Sequence, residues 1–167
     1  MFTGRYTHKL DAKGRLALPA RMRNAGKGKG YTEFVVSKGI DGCIAVFPTE
    51  KFEQFIDNFD PSELENEQGL NFYREFASWA HYLPVDNQGR INIPQALLDC
   101  AEIKDDVLIL GIIDWIELWN PEKYQKHLKS SDSSYEDGAK AFFSSAIRGK
   151  RKKNDSNASE CPDPKSG

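Results

Sequence analysis

Polar and apolar positions alternate in short runs along most of this chain, and glycine, proline and aspartate separate the runs. Residues 5–10 mix polar and apolar side chains as a strand edge does, and Arg15-Leu16-Ala17-Leu18 alternates with a period of two. Asp11-Ala12-Lys13-Gly14 between them carries turn chemistry: the aspartate accepts from its own backbone and the glycine tolerates a positive φ. The two runs are expected to pair as a β-hairpin. Pro19 suits the first helical position, where its missing N–H is an orphan anyway, so a short helix is expected over 19–25. The glycines and lysines of 26–30 read as a flexible, basic loop. Residues 32–36 and 43–47 predict two more strands about a turn at 38–42. Pro48-Thr49-Glu50 opens a helix with Phe52, Phe55, Ile56 and Phe59 on one face. Asp60-Pro61-Ser62-Glu63 reads as the cap and first turn of another, which carries Leu70, Tyr73, Phe76, Ala77 and Ala80 to about His81.

The plan then recurs. Residues 82–85 lead into a turn at 86–89, a strand at 90–93, and a short helix opened by Pro94. Strands are expected at 107–110 and 115–119, and Asn120-Pro121-Glu122 caps a helix. Ala139, Phe142, Phe143, Ala146 and Ile147 mark a last amphipathic helix; from Arg148 the chain is polar and reads as a disordered tail.

The recurrence is literal in places. Asp11-Ala12-Lys13-Gly14-Arg15-Leu16-Ala17-Leu18-Pro19 returns 75 residues later as Asp86-Asn87-Gln88-Gly89-Arg90-Ile91-Asn92-Ile93-Pro94. A second echo, from Gly39 to Phe52, returns at Gly111 to Tyr124 with an offset of 72. Matching internal order at this period indicates a duplicated supersecondary unit, and two copies are too few for a solenoid. Each copy reads as hairpin, short helix, hairpin, with too little strand to bury both faces alone. The expected fold is therefore α+β, two tandem repeats interlocked and closing a small barrel, with flanking helices. A pseudo-twofold axis would then bring the two D-x-x-G-R turns together at one end.

Composition narrows the function. A chain of 167 residues with 39% apolar content suits one compact domain or two small units sharing a core. No run approaches the ~18 apolar residues of a membrane span, and the N-terminus lacks a signal-peptide pattern, so no membrane partner and a cytoplasmic location are expected. Cys43, Cys100 and Cys161 are far apart with no C-x-x-C; Cys43 and Cys100 are expected to be small buried hydrophobes. His8, His81 and His127 are isolated from any nucleophile, and 26–30 lacks the spacing of a phosphate loop. Neither an enzyme nor a cofactor or metal site is expected. The net charge of −2 sits poorly with nucleic acid, yet the charge is segregated: residues 1–30 carry a local +7 and residues 50–67 a local −6. One face can be basic on an acidic protein, although on charge alone ordinary solvated faces are the favoured reading.

The phrases Met1-Phe2-Thr3-Gly4, Leu10–Arg21 and Val85–Pro94 resemble the MraZ family, over residues 1 to about 147. The resemblance implies two SpoVT–AbrB-type units, each marked by D-x-x-x-R. The units are expected at 5–52 and 81–124, with a linker helix region at 53–80 and a C-terminal helical segment at 125–147; the disordered polar tail at 148–167 lies outside the resemblance. The resemblance also implies a swapped-hairpin barrel, assembly of subunits into a ring, and a nucleoid-associated bacterial transcriptional regulator. Such a regulator binds double-stranded DNA at short repeated sites before the cell division and wall gene cluster, which includes its own gene.

The arginines carried over are Arg15 and Arg90, with Lys13 and Gln88 inside the turns. A guanidinium can bind guanine O6 and N7 bidentately in the major groove, which also admits a β-ribbon. Asp11 and Asp86 are expected to orient the arginines, or simply to satisfy the turn amides. Arg21 and Arg23 are expected to hold the DNA backbone, or to be solvated helix charge. The second turn is neutral at Asn87-Gln88 where the first is basic, so the first copy is expected to carry more of the affinity. The competing reading is a ring-forming protein-interaction scaffold without specific DNA readout.

Overall fold

The computed structural model describes residues 1–25, 30–130 and 135–144. In chain order the elements are β1 (Arg5–Lys9), β2 (Arg15–Ala17), α1 (Ala20–Arg23), β3 (Glu33–Lys38), β4 (Ile44–Pro48), α2 (Thr49–Asp57), α3 (Glu67–Ser78), β5 (His81–Pro84), β6 (Arg90–Asn92), α4 (Gln95–Cys100), β7 (Asp106–Ile112), β8 (Trp115–Trp119) and α5 (Pro121–Ser130). The fold is α+β with antiparallel pairing. Six strands form one sheet in the order β1-β7-β8-β4-β3-β5, and β2 pairs with β6 in a second. Exchanging the two copies turns β1 into β5, β7 into β3 and β8 into β4, and the sheet order then reads the same backwards. The β2–β6 pair obeys the same symmetry: Leu16 faces Ile91, its own counterpart, while Arg15 faces Asn92 and Ala17 faces Arg90.

The expected hairpin between β1 and β2 does not form. β1 instead pairs with β7 of the other copy, from Arg5↔Leu110 to Lys9↔Asp106, and meets β2 at the Leu10↔Leu16 bridge and through a His8 Nδ1–H donated to Ala17 O at 2.6 Å. β5 likewise joins β3, not β6. The reason lies in β3 and β7. Phe34–Ser37 and Val107–Leu110 are all buried, so each strand needs a neighbour on both sides to satisfy its backbone groups. A local hairpin would leave them as open edges.

The core is shared by equivalent positions of the two copies: Leu16 with Ile91, Leu18 with Ile93, and Met22 with Leu97, each at most 3% exposed. A second cluster forms where α3 lies on β3 and β4. There Phe76 packs against Phe47 and Phe52, and the Ser37 hydroxyl donates to the Phe76 carbonyl at 2.6 Å.

Three further expectations change. The helix read as continuous from residue 61 is two pieces. Asp60 accepts from Ser62 N at 2.9 Å to start a 3-10 turn (Pro61–Glu65), then extended Asn66 caps anew by accepting from Gly69 N at 2.6 Å. Pro19 is an N-cap residue, not the first helical residue, and Pro48 and Pro94, which open their helices as expected, are N-caps as well. Their carbonyls start the ladder, as Pro19 O does by accepting from Met22 N and Arg23 N. Cys43 is buried, but Cys100 is exposed at the end of α4.

The chain divides into compact units Met1–His127 and Leu128–Gly167. The second contains the end of α5 and a helix at 135–144, on which Phe142 and Phe143 are exposed with ring centroids 5.8 Å apart. The glycine-lysine loop at 26–29, Ala146, Ile147 and the polar tail lie outside the described residues. Among the described residues no helix is long and apolar enough to cross a membrane.

Candidate nucleic-acid interface

Each D-x-x-G-R phrase folds as a turn closed by its own aspartate. At the first turn Asp11 Oδ1 accepts from Lys13 N at 2.9 Å and Arg15 N at 3.0 Å, and Oδ2 accepts from Arg15 Nε at 2.7 Å. At the second, Asp86 Oδ1 accepts from Gln88 N and Arg90 N, both at 2.9 Å, and Oδ2 from Arg90 Nε at 2.8 Å. The spacing explains the geometry. A carboxylate four residues before the arginine can hold the turn amides with one oxygen and the guanidinium with the other. Gly14 and Gly89 complete the turns with φ of 73° and 76°, the left-handed region where a side chain is strained.

These bonds hold both carboxylates ionised. The Arg15 amide, ahead of the Lys13 amide and the Arg15 side chain, lowers the Asp11 pKa to about 2 against a smaller desolvation cost. The Arg90 amide is the chief cause of the lowering at Asp86.

The fold brings the two turns side by side. Leu18 N donates to Gly89 O at 3.1 Å, and its counterpart Ile93 N donates to Gly14 O at 3.2 Å. The side chains depart from this symmetry. Arg90 Nη1 reaches Asp11 Oδ2 at 3.4 Å while Nη2 stays 2.8 Å from Asp86 Oδ2. Among the described residues Arg15 has only its Nε engaged by an acceptor side chain.

Lys13 and Gln88 are exposed at the turn tips, and Arg15 and Arg90 are half-buried behind them. Arg21 is exposed on α1. Arg23 lies elsewhere than a solvated helix face: its Nε donates to Leu18 O at 3.2 Å, and its guanidinium covers Gly89 so closely that a side chain there would overlap it. The equivalent cover over Gly14 is Leu98, whose Cδ1 would sit 3.6 Å from an added Cβ. Sequence reading missed this pairing; the offset of 75, which sets Leu98 opposite Arg23, was the available signal. Among the described residues no group of three or more His, Cys, Asp or Glu is placed to hold a metal ion.

Comparison with known proteins agrees with this architecture. The family model for the MraZ protein matches residues 1–71 and 76–144, one segment for each copy. A protein named Transcriptional regulator MraZ from Finegoldia magna is 36% identical over 137 residues, 82% of this chain and 93% of its own length. Proteins of the same name from Halothermothrix orenii and Heliobacterium modesticaldum are 35% and 36% identical, covering 85% and 86% of this chain and 96% and 97% of theirs.

Proposed function

Because the chain belongs to the MraZ family, we propose that it is a DNA-binding transcriptional regulator. It recognises short repeated sites in the promoter of the cell division and cell wall gene cluster, its own gene included. The observation that carries this reading is the pair of D-x-x-G-R turns, held side by side by reciprocal backbone bonds with ionised aspartates behind their arginines. A carboxylate fixed by backbone amides keeps a guanidinium in one orientation, which is what bidentate readout of a base edge or a close phosphate contact needs. Lys13, Arg15, Arg21, Arg23 and Gln88 form the DNA-facing set, Arg90 stands behind the second turn, and Asp11 and Asp86 orient the arginines.

Affinity on a protein of net charge −2 is supplied by repetition. Subunits in a ring present many turn pairs to repeated sites, so later contacts form at high effective concentration. Exposed Phe55 and Phe72 beside the apolar groove of Phe47, Phe76 and Trp115 support self-association. Footprinting of the purified protein on the DNA upstream of its own gene should show protection at regularly spaced short sites. Uniform or absent protection would instead support a protein-interaction scaffold.

A further inference from the structure

Granted the DNA-binding reading above, we propose that Arg23, from helix α1 of the first copy, supplies the phosphate contact of the second turn, and that Arg90 is a positioning residue. Arg15, Arg90, Asp11 and Asp86 cancel in charge, so attraction to phosphate must come from cations outside this set. At the first turn Lys13 is such a cation, exposed at the tip. Its counterpart Gln88 is neutral.

The position over the turn glycine shows the reverse pattern. Leu98 covers Gly14, and its counterpart Arg23 covers Gly89. Each turn therefore gains one extra cation, from the loop in the first and from the covering helix in the second. Arg23 uses its Nε on Leu18 O, and among the described residues neither Nη has an acceptor within hydrogen-bond distance. Arg90 is differently placed. Its Nε and Nη2 face Asp86 and its Nη1 faces Asp11, and its side chain is 21% exposed against 32% for Arg15. A guanidinium whose three nitrogens all face carboxylates has little left to offer DNA, but it holds the two turns at a set spacing.

The test uses the full chain and a duplex of the DNA upstream of its own gene. Binding is measured by fluorescence anisotropy as salt is raised. The log–log slope should shrink by about 0.9 per engaged subunit in R23Q, as in K13Q, and R23K should restore it. R90K should weaken binding with the slope unchanged. A second measurement needs no variant. In phenylglyoxal modification read by mass spectrometry, the duplex should shield Arg15 and Arg23, while Arg90 should be unreactive with or without DNA. A wild-type slope in R23Q, or Arg23 reactivity that the duplex does not alter, overturns the assignment. Wild-type protein that fails to bind the duplex overturns the DNA-binding reading itself, and the assignment with it.

Discussion

Arg90 reaches Asp11 at 3.4 Å although 79 positions of chain separate them. This contact joins the two copies at their turns, beside the reciprocal bonds of Leu18 to Gly89 and Ile93 to Gly14. Folding and the shape of the turn face are therefore coupled, and the first predictions follow from that coupling.

The folded-state pKa of Asp11 falls from 3.8 to about 2, and that of Asp86 is lowered as well. A carboxylate with a depressed folded pKa stabilises the fold above its unfolded pKa and loses that contribution as pH falls through the folded one. Chemical denaturation between pH 4 and about 2 should show stability dropping, and Asp11→Asn should flatten the drop. An Asp11→Asn curve parallel to wild type would refute the origin of the shift.

Gly14 and Gly89 share a left-handed φ but differ in what covers them. Gly14→Ala should cost about 1–2 kcal/mol, the strain of the backbone alone. Gly89→Ala should cost more, since the new methyl also displaces the Arg23 guanidinium. Urea unfolding of the two variants should rank them in that order.

Phe76 is 6% exposed and makes ring contacts with Phe47, Phe52, Phe55 and Phe72. Phe76→Ala should destabilise by about 3–5 kcal/mol, through lost burial and the cavity left behind. It lies apart from the turns but lines the groove that supports self-association, so the folded protein that remains should bind DNA more weakly, in step with its loss of assembly. Denaturant titration and anisotropy on the same sample check both halves.

Arg15→Ala should reduce affinity for the upstream duplex by about 1–3 kcal/mol per engaged subunit. Its thermal midpoint should move little, because Asp11 retains the Lys13 and Arg15 amides and the Arg90 contact. Unchanged affinity would remove Arg15 from the DNA-facing set.

Much of the turn face was legible beforehand. Asp, Gly and Arg at fixed offsets dictate a local turn, because the aspartate oxygen reaches the amides two and four residues on. The strand segments of both copies were legible too, from alternation and turn residues. The break at Asn66 was not, because a capping side chain inside an apolar periodicity looks like an ordinary polar position. Nor was the exposure of Cys100, since a short helix carries too few residues to define its buried side.

The duplication, the chemistry of each turn and the equivalence of positions 75 residues apart follow from the order of residues alone. The tertiary structure decided which strand pairs with which. Backbone hydrogen bonds do not distinguish a hairpin partner from a distant one, and only the double-sided burial of β3 and β7 selects the exchange between copies. The same exchange set Arg90 against Asp11 and Arg23 over Gly89, contacts that depend on where two remote segments meet.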